Sequence, residues 1–218
     1  MLMNGSNNKT MKVETVSVDS VILYFEEEIS ETVLDKVQSA YKALQNVPDI
    51  INLTPSYHSI LIQYNIFKYD DNVIRNTIAE LIENTVSSSD TPLPKQSIGK
   101  TIEIPVDYNQ GLDLQRIADL NGLTIDEVII RHTAQTYRVY AVGFMPGFAY
   151  LASVDDAIAT PRLDTPRNKV PKGSVAIAQT QTAVYPQESA GGWNIVGHTD
   201  FDSFDTFEIG DRVRFIRV

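Results

Sequence analysis

Ser87-Ser88-Ser89-Asp90-Thr91-Pro92-Leu93-Pro94 is the stretch that decides how this chain is organised. Three serines, an acid and two prolines can bury little apolar surface, and each residue before a proline is driven out of the helical region. A linker is therefore expected over 87–97, with one domain on each side, residues 1–90 and 91–218.

On the N-terminal side the apolar spacing alternates between strand-like and helix-like. Val13–Val18 and Val21–Phe25 are rich in β-branched and aromatic residues and read as extended. Ser30 suits an N-cap for a helix that puts Val33, Leu34, Val37, Tyr41 and Leu44 on one face. Ile50–Leu53 and Ile60–Phe67 read as extended again, and Ile74, Ile78, Leu81 and Ile82 mark a second amphipathic helix. The order ββαββα predicts a small α+β domain with its helices on one face of a sheet. The triple Glu26-Glu27-Glu28 reads as a solvated turn.

On the C-terminal side the texture changes. Lys100–Val106 reads as a strand, and Pro105 places it at an edge or a strand end. Leu112–Leu120 predicts a short helix stopped near Gly122. The capping box Thr124-Ile125-Asp126-Glu127 opens another, running to about His132. From Tyr137 to Val218 short β-runs broken by Gly and Pro predict a barrel or sandwich.

Composition limits the function. The 218 residues carry 28 acids and 18 bases, a formal charge of -10, which argues against a general nucleic-acid binder. The absence of cysteine excludes disulfides, thiolate metal sites and a cysteine nucleophile. Met1–Lys12 has no apolar run of the signal-peptide kind, and no stretch reaches the ~20 apolar residues of a membrane span. A cytoplasmic protein without a membrane partner is expected.

Most catalytic signatures are missing. Neither G-x-x-x-x-G-K-[ST] nor G-x-G-x-x-G occurs, so no nucleotide-phosphate cradle is recognisable. Gln187-Glu188-Ser189-Ala190-Gly191 lacks the first Gly of a nucleophile elbow, and no acid stands between it and His198. His198-Thr199-Asp200-Phe201-Asp202 reads as a solvated loop rather than a metal site, and no metal is expected.

Two segments concentrate the remaining signal. Pro161-Arg162-Leu163-Asp164-Thr165-Pro166-Arg167-Asn168-Lys169-Val170-Pro171-Lys172 holds four bases, one acid and three prolines spaced five apart. Arg162 and Arg167 suit bidentate binding of a carboxylate or phosphate; equally, they could brace a long loop against the chain's own acids. Gly143-Phe144-Met145-Pro146-Gly147-Phe148-Ala149-Tyr150 cannot be a helix interior, and could line a ligand cleft or cap a barrel end. Gly191-Gly192-Trp193 presents the one Trp of the chain at a tight turn. Phe144, Phe148, Tyr150 and Trp193 are expected near one surface. His132, at a predicted helix end, could simply face the helix dipole.

Taken together, Val139–Leu151, Pro161-Arg162, Thr165-Pro166-Arg167, Val170–Ile177, Gln181-Thr182, Tyr185-Pro186, Gly191-Gly192-Trp193 and Ile195-Val196-Gly197 resemble the family of the 5-oxoprolinase B subunit. That family is also known as the sporulation-kinase inhibitor KipI and as allophanate hydrolase subunit 1. The resemblance continues through Ile104-Pro105-Val106, Gly111-Leu112-Asp113-Leu114 and Glu127-Val128-Ile129, and into the first half at Pro55–Ile62. Four positions depart from the family pattern. Gln179 and Ala183 stand where Gly is common, Ala190 where Pro precedes Gly-Gly-Trp, and His198 where the family usually has Arg or Lys.

The resemblance implies an α+β chain: a small ferredoxin-like N-terminal domain followed by a C-terminal cyclophilin-like β-barrel. It implies one component of an ATP-dependent 5-oxoprolinase that opens 5-oxoproline to glutamate together with A and C subunits. Such a component is inactive alone, with no cofactor of its own and ATP on a partner. The resemblance also implies two alternatives, inhibition of a sporulation sensor histidine kinase and membership of a urea/allophanate-type carboxyltransfer enzyme. On this reading His132, Gln181 and Tyr185 are the candidate catalytic residues. Arg162, Arg167, Phe144, Phe148, Tyr150 and Trp193 are the candidate substrate-binding ones.

Overall fold

A computed structural model of the chain describes residues 11–86 and 99–218. The chain divides into two compact units, Met1–Gln96 and Ser97–Val218. The linker expected over 87–97 lies outside the described residues.

The first unit runs β1 (Lys12–Ser17), β2 (Ser20–Tyr24), α1 (Glu31–Leu44), β3 (Ile50–Pro55), β4 (Ser59–Tyr64) and α2 (Asp71–Val86). Its sheet has the order β1-β2-β4-β3, every neighbour antiparallel. Strands β2 and β3 flank β4 and so run parallel to each other, with α1 as their crossover. This is the split β-α-β of the ferredoxin-like arrangement, with the last strand of that arrangement moved to the front. Val21, Leu23, Ile60 and Ile62 from the sheet bury against Val33, Val37, Leu44, Ile74, Ile78 and Ile82 from the helices. Ser30 caps α1 by accepting the Val33 N–H. Strand β4 stops at Tyr64, short of the expected Phe67, because Asn65 turns the chain: its side chain accepts the Phe67 N–H and its carbonyl the Lys68 N–H.

The second unit holds β5 (Thr101–Val106), α3 (Leu114–Asn121), α4 (Ile125–Ala134), β6 (Tyr137–Val142), β7 (Ala149–Ala152), β8 (Arg167–Val170), β9 (Ser174–Ala178), β10 (Gln181–Val184), β11 (Ser189–Gly191), β12 (Asn194–His198) and β13 (Arg212–Arg217). Helix α3 ends at Gly122, whose φ of 66° is the left-handed stop that glycine adopts without steric cost. The capping box at Thr124 and Glu127 forms as the sequence predicts.

Seven strands follow the order β12-β9-β10-β7-β6-β13-β5. β5 pairs in parallel with β13 and carries Pro105 at the end of the ladder, as expected. The two ends of the sheet then meet through a single bridge. Asp107 N–H donates to the His198 carbonyl at 2.8 Å, and His198 N–H donates to the Asp107 carbonyl at 3.0 Å. The result is a near-closed barrel, filled by Val139, Leu151, Val175, Ile177, Val196 and Phe215 and joined by Leu114, Ile117 and Val128 of the helices. Strands β8 and β11 form a separate two-stranded ribbon. Among the described residues no helix is long and apolar enough to cross a membrane.

Candidate functional site

The site grows out of the two-residue periodicity of β9 and β10. Val175, Ile177 and Val184 join the barrel interior, while Ala176, Ala178 and Ala183 join a separate cluster on the outer face. Three alanines keep that outer face low, and aromatic rings occupy the space above it. Phe148, 2% exposed, is the centre. Its ring centroid lies 4.8 Å from Tyr150, 5.4 Å from Tyr185 and 5.7 Å from Trp193, all three edge-on. Phe144 stands 5.5 Å away, exposed, with its backbone in the left-handed region at φ 72°. The four aromatics expected on one surface are therefore brought together, and Tyr185 joins them.

The basic segment is laid along this wall by the β8–β11 ribbon, in which Gly191 pairs with Arg167. Leu163 N–H donates to the Gly192 carbonyl at 2.7 Å, tying the loop to the Gly-Gly-Trp turn. A side chain at Gly191 would run into the Tyr185 hydroxyl, so glycine is required there. Arg162 is exposed and lies over the Trp193 ring, 5.8 Å from its centroid. Arg167 is held through Nη2, 2.7 Å from Asp113 Oδ1, while its Nη1 is enclosed and makes no hydrogen bond among the described residues.

Burial pushes the Tyr185 phenol above its ordinary range, opposed by a hydrogen bond from the Trp193 backbone and by the charges of Arg162 and Arg167. Burial also raises Tyr150, with Arg162 opposing. Both phenols therefore keep their protons at neutral pH and act as hydrogen-bond donors or acceptors, not as bases. Gln181 shares the outward side of β10 with Ala183 and Tyr185. It sits at the other end of the strand, roughly 13 Å from Tyr185 at the usual strand rise.

His132 is a correction. The sequence reading sets it with Gln181 and Tyr185 as a candidate catalytic residue, but it is fully buried among interior residues, on the opposite side of the sheet. Its Nδ1 lies 2.7 Å from the Tyr108 hydroxyl and its Nε2 2.9 Å from Thr182 Oγ1, and it stacks on Phe215. Burial lowers its pKa to about 3, so the ring is neutral, donating through one nitrogen and accepting through the other. It fastens the barrel core and cannot reach the aromatic wall. The spacing Val128, Ile129, His132 along α4 already puts the ring on that helix's buried face.

Three residues that sequence reasoning passed over hold the site in place. Asp113, buried, receives Arg167 on one oxygen and the Ile195 N–H on the other at 2.6 Å. Asn194, fully buried beside Trp193, donates to the carbonyls of Pro161 and Ile177, both at 3.0 Å. Arg116 donates to Asn194 Oδ1 at 2.6 Å. Their partners lie tens of residues away, so no local pattern marks them.

Two of the four departing positions are ones where the backbone or the packing suits a small residue. Gln179 opens the two-residue β9–β10 turn at φ 54°, a conformation that favours Gly. Ala183 is fully buried opposite Ala176, where only a small side chain fits. Among the described residues no three His, Asp or Glu side chains come together as a metal site. The first unit carries a groove of about 240 Å³ lined by Met11, Val13, Asn72, Arg75, Asn76 and Ala79, which includes none of the expected residues.

The domain family described as carboxyltransferase domain, subdomain C and D, matches residues 11–210. The 5-oxoprolinase B subunit of Bacillus subtilis (strain 168) is 32% identical over 222 residues, covering 95% of this chain and 92% of that protein. The 5-oxoprolinase B subunit of Escherichia coli O157:H7 is 32% identical over 206 residues, covering 90% and 91%. Among solved structures, that of TTHA0988 superposes with a TM-score of 0.77 at 32% identity over 93% of this chain, which spans 40% of that longer one. With the family match running through both units and the relatives covered nearly end to end, the chain belongs to the family of the 5-oxoprolinase B subunit.

Proposed function

We propose that this chain is the B subunit of an ATP-dependent 5-oxoprolinase, working with homologues of the A and C subunits to open 5-oxoproline to glutamate. The observation that carries the reading is the aromatic wall of Phe148, Tyr150, Tyr185 and Trp193 flanked by two guanidinium groups. The compact lactam ring of 5-oxoproline suits such a wall, and its carboxylate suits Arg162 or Arg167. The protonated hydroxyl of the half-buried Tyr150 can donate to the lactam carbonyl, and Gln181 can steady a more distant part of a larger intermediate. ATP belongs to a partner in this scheme, because the sequence has no phosphate-cradling motif.

Co-expression with candidate A and C subunits, followed by pulldown and an ATP-dependent glutamate-release assay, tests the reading. Turnover is expected from the assembled complex and not from the isolated chain. Arg167→Ala should lower turnover on the order of a hundredfold, the usual scale for losing one partner of a desolvated charge pair, and the exposed Arg162→Ala by about fivefold, with assembly intact. Normal turnover in both variants sinks the proposal. A loss of activity that merely tracks a lower melting temperature makes the arginines loop braces. Inhibition of a sensor histidine kinase by the same preparation, without glutamate release from any assembly, would favour the kinase-inhibitor reading.

A further inference from the structure

At one end of the first unit's sheet β1 turns into β2, β3 begins and β4 stops, and exposed apolar side chains come from all three places. Val18 sits in the β1–β2 turn, Ile51 near the start of β3, and Ile66 and Phe67 just after β4. All four are exposed, and Phe67 is 91% so, the most of any large apolar side chain among the described residues. Single apolar residues scattered over a surface need no explanation, but a gathered set does.

Backbone contacts do the gathering. Tyr64 N–H donates to the Asp19 carbonyl at 2.9 Å, and the Tyr64 hydroxyl donates to the Val18 carbonyl at 3.1 Å. The next amide, that of Asn65, donates to the Asp49 carbonyl at 3.0 Å. The three connections therefore meet around Tyr64 and Asn65. Ile51 is the extra residue of a β-bulge, since Ile50 pairs with Tyr64 and Asn52 with Gln63, and a bulge re-aims a side chain. Phe67 lies in the turn closed by the Asn65 side chain and carbonyl, so its exposure belongs to a fixed conformation. A ring held out on a hydrogen-bonded turn gives up little freedom on docking.

Charge sets what can dock. The acids of this end are Asp19, Asp49, Asp70 and Asp71, and the cations of the surrounding elements are Lys42, Lys68 and Arg75. Arg75 lies 3.6 Å from Asp71. Asp19 is held by neutral groups, the Ser17 and Ser20 hydroxyls and the Gln63 amide, and Asp70 accepts the Val73 N–H, so these contacts leave both charges standing. The buried Tyr64 phenol registers the balance. Burial pushes its pKa up, Asp71, Asp19 and Asp70 push it further, and no cation counters them among the described residues. An apolar tip in a negative field repels nucleic acid, an anionic membrane and, in a chain of formal charge -10, a second copy. It suits an apolar recess bordered by Lys or Arg.

We propose that this tip is a docking knob, with Phe67 as its anchor, for a partner subunit whose recess is apolar inside and basic at the rim. The inference rests on the multi-subunit reading given above.

The test is titration of the full chain with each purified candidate A and C subunit, at low and moderate salt. One of them should bind the wild-type chain, and more weakly as salt rises. Phe67→Ser should weaken that binding at least about tenfold, the usual scale for an aromatic anchor, and Val18→Ser, on a different connection, about threefold. Both side chains are exposed, so the melting temperature should stay that of the wild type. Asp70→Asn keeps an oxygen for the Val73 N–H and loses the charge; it should weaken binding about threefold at low salt and hardly at all at moderate salt. Unchanged affinity in both Phe67→Ser and Val18→Ser, with glutamate release from the assembly intact, overturns the inference and leaves the reading beneath it standing. Tighter binding by Asp70→Asn overturns the basic rim. Self-association of the chain that Phe67→Ser abolishes gives the tip to a second copy and overturns the partner. Binding of neither subunit to the wild-type chain overturns both the inference and the reading on which it rests.

Discussion

Strand β10 separates two polar arrangements that differ in one respect. Inward, Thr182 meets His132, which meets Tyr108, and each ring nitrogen has a hydroxyl within hydrogen-bond distance. Outward, beside Tyr185, Arg167 has one nitrogen paired and one enclosed without a hydrogen-bond partner among the described residues, and Arg162 rests on Trp193. The inner network is complete and neutral; the outer one is charged and incomplete. Buried polar groups are almost always satisfied, so the finished inner network is a device of cohesion, and the unfinished outer one is where the proposed function places recognition.

The sharpest way to break the comparison is Phe148→Ala. Phe148 touches Tyr150, Tyr185 and Trp193, so its loss should cost about 3–5 kcal/mol and scatter the outer wall. Urea denaturation would show the loss, and the environment of Trp193, the one tryptophan, would report the wall by fluorescence. A cost below about 1 kcal/mol would mean that the rings do not support one another.

The inner network answers to acid. The unfolded chain binds a proton at His132 below the ordinary pKa of 6.5, while the folded chain resists until about pH 3. Stability is therefore intact above pH 6.5 and is lost as the pH falls toward 3. The slope reaches about 1.4 kcal/mol per pH unit, on the order of 2 kcal/mol by pH 5. His132→Gln can still bond both hydroxyls and should remove that share of the pH dependence. Parallel stability–pH curves for the variant and the wild type would show that the imidazole is reached by water.

Much of the framework was legible beforehand. Ser30, the Thr124–Glu127 capping box and Gly122 act within three or four residues, where sequence pattern and hydrogen-bond geometry coincide. The gathering of the aromatics was also legible, because Gly and Pro left them nowhere to be but at a turn-rich surface. The side of the sheet was harder. His132 belongs with Thr182, fifty residues on, and a one-residue shift of register would reverse every face of β10. Asp113 and Asn194 escaped altogether, since their partners are set by how β12 docks on the barrel.

The smallest expected effect lies at the turn that joins the outer and inner residues of β9 and β10. Gln179 holds φ 54°, so Gln179→Gly relieves a left-handed side-chain conformation at the cost of a more flexible unfolded chain. A net gain of up to about 1 kcal/mol is expected. A loss of that size in the melting analysis would show that the Gln179 side chain makes contacts of its own.

The junction of β5 and β12 gives the barrel an unequal temperament. Most seams in the cylinder are stitched along several residues, but among the described residues this one is a single ladder bridge, the reciprocal amides of Asp107 and His198, with Asp113 bonded to Ile195 farther along β12. A hoop fastened at one clasp opens at that clasp. These two amides should trade hydrogen for deuterium well before those of β9 and β10, at a free energy far below that of global unfolding. His198 also reaches Lys172 through its ring, Nε2 donating to the carbonyl at 3.0 Å. The clasp is thereby tied to the end of the arginine-bearing segment, and loosening one slackens the tether of the other.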